Sequence, residues 1–447
     1  MSIARFVVHA RAQGIRLMAL TMAAMLCLVQ TPAARADLTI DITKGVTDPI
    51  PIAIVPFAAA TPADGGFDVA AVVQADLDSS GRFATMKRGA MSSRPTQGTA
   101  VQAADWKAAG QDYVAVGRVG VGANGTLTVD CDLVNVLSGG AIATVHVVAN
   151  AATLRNAAHQ VSDFIYQRIL GVRGAFATRI AYVAVSGQAP NQNYRLIVSD
   201  ADGANARTVL EQGQPIMSPA WSPDGRWLAY ASFQNHAQVV YVQELATGQR
   251  RLVSARAGVN SAPAWSPDGS RLALTLSGSG GNLDVYELNL RTQALTRLTD
   301  DPAIDTEATW SADGKSIYFT SDRAGGPQIY RIDVSSPDRV QRITFGSSYN
   351  ARPRVSPDGR TLAFITRDGG KYRIAVQDLA SGVVRVLSHG SEDESPSFAP
   401  NGAVLIYSAR DGGAGTLDTV SVDGQVTTRI KTDQGTLREP AWGPFAS

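Results

Sequence analysis

The residues able to do chemistry are scattered along this chain. Two acidic stretches stand out, "DDPAIDTE" (300–307) and "GSEDESPS" (390–397), and an aspartate recurs at Asp224, Asp268, Asp313 and Asp358. Asp305, Glu307 and Glu394 are the kind of carboxylates that acid–base cleavage of a glycan or lactone needs, and clustered acids can hold a cation. The plainer account is that the acidic stretches are solvated loops. The recurring aspartates sit in "SPDG" or "SADG", where Asp bonds locally and Gly takes the positive φ of a tight turn. No G-x-S-x-G elbow or H-E-x-x-H pair occurs. Sialidase-type Asp-boxes place the aromatic after the Asp, whereas here it comes before. The runs "RDGGK" (367–371) and "RDGGAG" (410–415) have no following helix to make a phosphate cradle. The histidines at 9, 146, 159, 236 and 389 are dispersed, and His146 and His159 read as packing or surface groups. Cys131 alternates in step with Leu127, Val129 and Leu133 and reads as an inert core thiol. The expectation is no catalytic residue, no metal and no cofactor.

The elements that carry these residues begin after a leader. Arg5, Arg11 and Arg16 precede the apolar run "LMALTMAAMLCLV" (17–29), and "ARA" (34–36) is a small-residue cleavage site. Cleavage after Ala36 exports the chain beyond the inner membrane. The run is too short for a membrane span of roughly 20 residues. Removing 1–36 takes away four arginines and no acid, so 40 bases become 36 against 39 acids. A formal charge near zero gives no electrostatic footprint for nucleic acid.

The main signal is a repeat. "WSPDG" at Trp221 and Trp265, "WSADG" at Trp310, "VSPDG" at Val355, "FAPNG" at Phe398 and "WGPF" at Trp442 recur every 43 to 45 residues. Each of the first five anchors is followed by strand-like runs, such as "LAY" (228–230), "VVYVQEL" (239–245) and "QRRLV" (249–253) after Trp221. Four short antiparallel strands per unit bury two faces only between neighbours, which is the logic of a propeller blade. "RIAYVAV" (179–185) has no anchor before it, and "REPAWGPF" (438–445) has no strand after it. Each end supplies what the other lacks, so the count predicts a six-bladed β-propeller over 177–447, closed by its C-terminal strand.

Residues 37–170 have another rhythm. "IPIAIVPF" (50–57) reads as a strand, 67–81 and 153–170 as helices, and 113–149 as a meander, together an α/β domain. The hinge falls at "GVRGAF" (171–176).

With no catalytic motif, shape remains. The loops entering each anchor strand converge Met217, Asn260, Ala262, Thr306, Glu307, Asn350, Arg352, Glu394, Arg438 and Glu439 on one rim, which suits binding of a macromolecule. Two rival readings are an exported propeller hydrolase using Asp305, Glu307 and Glu394, and a periplasmic propeller that binds a small ligand in its channel.

At these residues the chain resembles the TolB family of the Gram-negative Tol–Pal system. The likeness rests on "DLTIDITKGVTDPIPIAIVPF" (37–57), the six repeats and the terminal "PAWGPF" (440–445), and it covers the mature chain. It implies a non-enzymatic periplasmic monomer that binds the lipoprotein Pal through the propeller. It further implies that TolA, an inner-membrane protein, binds the N-terminal segment Asp37, Leu38, Thr39, Ile40, Asp41 and Ile42. That coupling would maintain outer-membrane integrity and constriction at division. The family's Pal-contacting loops fall on Ala262 and Thr306–Glu307, while Val259 stands where other members can offer a histidine. Alternation in "LTIDIT" (38–43) suits addition to a sheet edge, its own or a partner's.

Overall fold

The computed structural model describes residues 39–59, 67–234, 236–278, 280–410, 412–431 and 435–446. The leader, its cut after Ala36, and Asp37 and Leu38 lie outside the described residues. Among the described residues no helix is long and apolar enough to cross a membrane.

The apolar run Ile50–Ile54 forms the middle of a six-stranded mixed sheet. It lies parallel to Phe83–Thr85 on one side and to Tyr113–Val121 on the other. Leu127–Asn135 and Gly140–Ala149 extend the sheet as an antiparallel meander, and the short Ala58–Ala59 pairs with Tyr113–Val121. Helix α1 (Val69–Ser79) starts at Asp68, whose carboxylate accepts from the Ala71 amide at 2.9 Å and caps the first turn. Helix α2 spans Ala103–Ala108, and α3 spans Leu154–Leu170, ending at Gly171 with φ +79°. Successive strand residues face opposite ways. Ile52 and Ile54 therefore pack with α1 and α3, while Ala53 and Val55 pack with Trp106 of α2.

The buried face of α3 is broader than its apolar stripe, because His159, Ser162 and Asp163 are buried with it. Of the two readings of His159 its burial selects packing, and its Nδ1 bonds Asp76 Oδ2 at 2.8 Å. His146 is exposed and pairs with Asp130. Cys131 is 1% exposed, and burial pushes its thiol far up, as an inert core thiol requires.

Beyond α3 the chain is all strand. Ile216–Trp221, Asn260–Trp265 and Asp305–Trp310 each begin a separate four-stranded antiparallel sheet that continues in sequence order. Thr436–Trp442 instead joins Arg179–Ser186, from the other end of the repeats, with Leu437 opposite Ala184 and Trp442 opposite Ile180. Asn350–Val355 and Glu392–Phe398 begin two more such units. A single parallel bridge, Tyr372 to Glu392, merges these into one nine-stranded sheet. Its ninth strand is Thr39–Lys44, laid antiparallel on the outer strand Thr427–Lys431 with Ile40 opposite Ile430. The anchor strands contact one another in order, and the last contacts the first.

The anchor turns hold as their chemistry predicts. Ser266 Oγ donates to Asp268 Oδ1 at 2.6 Å, the Ser270 amide donates to the same oxygen, and Gly269 takes φ +70°. The Ser266 hydroxyl holds the Asp268 carboxyl down to about 2. Asp224, Asp313 and Asp358 bond their neighbours in the same way, so this row of acids is structural.

Candidate functional site: a charged ring on the channel

Each anchor strand carries a bulge three residues before its anchor. Ser218, Ala262, Glu307, Arg352, Ser395 and Glu439 all have φ between +46° and +55°, and the pairing register slips at each. None is glycine, so each residue stores roughly 1–3 kcal/mol of backbone strain that the surrounding sheet must hold. The bulge turns these residues toward a common centre. Ser218, Ala262, Glu307, Arg352 and Glu439 line one small cavity of about 20 Å³.

Arg352 organises that centre. Its Nε donates to Glu307 Oε1 at 2.5 Å, its Nη1 to Ser395 Oγ, and its Nη2 reaches Glu439 Oε1 at 3.5 Å. Glu439 and then Glu307 push the guanidinium further up, so it stays charged at any accessible pH. Glu439 Oε2 accepts from the Ser218 amide at 3.3 Å, which carries the network across the ring joint. Two bulge amides are held by threonines of the preceding unit: Glu307 N donates to Thr275 Oγ1, and Arg352 N to Thr320 Oγ1. Beneath Arg352, Arg354 lines the same cavity and spends one Nη1 bond on the Pro353 carbonyl at 2.8 Å. Burial, and next the charge of Arg352, lowers the pKa of Arg354.

The ten rim residues divide into four groups. Ala262, Glu307, Arg352 and Glu439 meet in the cavity. Met217 and Thr306 are half-buried beside them, and Glu394 and Arg438 are exposed. Asn260 and Asn350 depart from the expectation. Asn260 is fully buried, accepts from Ser254 Oγ and Arg256 N, and donates to Arg256 O. Asn350 is 1% exposed and donates to Gln328 Oε1 at 2.9 Å. Both fasten the start of an anchor strand and offer no surface. Asp305 holds the same position in its unit and receives two bonds from Arg323 Nη2 at 3.0 and 2.8 Å. With Asp305 locked there and Glu307 held by Arg352, the proposed hydrolase acids do not face a common substrate space.

Sequence reasoning missed a second cluster. Asp76 of α1, His159 of α3 and Asp202, in the turn after strand Asn193–Asp200, approach one another at the junction of the two parts of the chain. The signal was available as polar residues at 159, 162 and 163 inside an apolar helical stripe.

Comparison with known proteins gives the same architecture. Residues 38–142 match the family model of the TolB amino-terminal domain, and residues 166–446 match that of the TolB beta propeller domain. The Tol-Pal system protein TolB of Xylella fastidiosa strain M12 is 46% identical over 416 residues, covering 92% of this chain and 94% of that protein. The same protein of Xanthomonas euvesicatoria pv. vesicatoria is 46% identical over 429 residues, covering 94% and 96%. The crystal structure of TolB from Acinetobacter baumannii superposes with a TM-score of 0.84 at 40% identity, covering 91% of this chain and all of that one. With two family models and near-complete coverage in agreement, the chain belongs to the TolB family.

Proposed function

We propose that this chain is the periplasmic TolB component of a Tol–Pal system, made after cleavage at Ala36. In this reading residues 37–170 form an α/β domain and 177–447 a six-bladed propeller. The blade count is supported by six anchor strands that touch in a closed order, the last blade borrowing its innermost strand from the C-terminus. The protein works by holding partners and has no catalytic role. Pal occupies the channel mouth, where Met217, Ala262, Thr306, Glu307, Glu394 and Arg438 surround the Arg352 ring. A preorganised rim of this kind binds without first ordering its own loops.

TolA takes the N-terminal segment from Asp37 to Ile42. The observation that carries this half is the edge position of Thr39–Lys44, whose backbone pairs with a single outer strand. A terminal edge strand detaches at low cost and can then add to a partner's sheet. Pal at the rim shifts the balance between the docked and presented states.

A pull-down from envelope extract tests both halves. Deleting residues 37–46 should abolish capture of TolA and leave capture of Pal intact. Retained TolA binding would sink the proposal for the N-terminal segment.

A further inference from the structure

The junction cluster has features that partner binding at the rim does not use. His159 is 1% exposed, and its Nδ1 faces Asp76 Oδ2 at 2.8 Å, with Ser162 Oγ donating to that same oxygen at 2.6 Å. This arrangement fixes the ring and turns Nε2 toward Asp202. Nε2 is buried, finds no hydrogen-bond partner among the described residues, and stands 3.8 Å from Asp202 Oδ2. That gap is too long for a hydrogen bond. Two ligands on one zinc-like ion, each at about 2.0–2.2 Å, stand roughly that far apart when the angle between them is wide.

Charge points the same way. Arg155 contacts Asp202 and lies 3.5 Å from Asp200 Oδ2. With His159 neutral, three carboxylates (Asp76, Asp200 and Asp202) face one guanidinium, leaving two negative charges at a largely buried joint. A cavity of about 120 Å³ lined by Asp76, Asp202, Ser79 and Asn401 gives water and ions a way in.

We propose that this junction is a binding site for a borderline divalent cation of the zinc type. His159 Nε2 and the carboxylate of Asp202 ligate it, and water from the cavity completes the shell. Asp76 orients the imidazole from behind, the carboxylate–histidine–metal arrangement of metal sites generally. Asp202 Oδ2 uses a lone pair that Arg155 leaves open. The ion ties the first part of the chain to the strand repeats, because His159 and Asp76 come from one and Asp202 from the other.

The test uses the mature, untagged full chain, stripped with a chelator and titrated with Zn²⁺ by calorimetry. One ion per chain is expected, with a rise in melting temperature. Asp202→Asn, on a partly exposed turn that circular dichroism can show to be folded, should weaken binding tenfold or more. Asp76→Asn should weaken it about 10–100-fold, the usual effect of losing the carboxylate behind a ligating histidine. Co²⁺ in place of Zn²⁺ should give visible absorption bands that Asp202→Asn alters. No stoichiometric uptake by the native chain, or equal uptake by native and Asp202→Asn chains, overturns the proposal.

Discussion

Arg352 holds two glutamates from different anchor strands, so its removal does more than delete one side chain. Arg352→Ala leaves Glu307 and Glu439 in a narrow, partly dry channel without their counter-charge. Breaking a fully buried pair costs about 3–5 kcal/mol, and the partial exposure here brings that to about 2 kcal/mol. Urea unfolding should show this loss, and Glu307→Ala with Arg352→Ala should lose less than the sum of the two. Strict additivity would mean the ring is not a coupled network. Asp163 tests burial itself. Its Oδ1 accepts from Phe176 N at 2.8 Å, its Oδ2 finds no hydrogen-bond partner among the described residues, and burial pushes its carboxyl up to about 6. A folded pKa above the unfolded one gives stability that is full below about 4 and lost as pH rises through about 6. Asp163→Asn keeps the accepting oxygen and carries no charge. It should therefore stabilise the chain at pH 7 by up to about 3 kcal/mol and flatten the pH dependence between about 4 and 6. Identical pH–stability curves for the two proteins would contradict this.

At the scale of the element, the anchors act as cross-links between neighbouring units. Trp221 Nε1 donates to the Ala441 carbonyl at 3.0 Å, Trp265 to Ala220 at 3.2 Å, and Trp310 to Ala264 at 3.1 Å. Each indole thus reaches the residue just before the previous anchor. Val355 and Phe398 fill the same place without a donor and keep only the packing. Trp310→Phe should therefore cost about 1–3 kcal/mol through the unpaired Ala264 carbonyl, beyond any change in packed area. Phe398→Leu should act through packing alone, and calorimetric melts of the two variants separate the effects. The period, the turns and the anchors were legible because the hairpin needs Pro, Asp and Gly at fixed places. The bulges were not, because Ser218, Ala262, Glu307, Arg352, Ser395 and Glu439 share no residue type. Their positive φ is imposed by ladder pairing, reinforced at Glu307 and Arg352 by threonines of the preceding unit, and not by local propensity. Asn260 and Asn350 were misplaced for a related reason. Loop position suggested a surface, but side-chain bonds to Arg256 and Gln328 bury both. The cluster around His159 was missed because Asp76 and Asp202 lie 83 and 43 positions away along the chain.

In the whole molecule the strands Thr436–Trp442 and Thr39–Lys44 do opposite mechanical work. Thr436–Trp442 is an inner strand, paired to Arg179–Ser186 and packed against the anchor strands on both sides. Glu439 also places one of the two glutamates on Arg352, and Ala441 accepts the Trp221 indole. Removing this end exposes a sheet edge, breaks the ring network and leaves a buried indole unpaired at the same time. Thr39–Lys44 lies on an outer strand and closes nothing. Deleting 438–447 should therefore lower the melting temperature sharply or prevent folding. Deleting 37–46 should shift it little and speed amide exchange mainly along Thr427–Lys431. On the proposed function this contrast would let Thr39–Lys44 serve as a detachable handle while Thr436–Trp442 keeps the body rigid, since only a strand outside the closed circuit can leave without opening it. A chain lacking 438–447 that melts like the full protein would show that the circuit is not closed there.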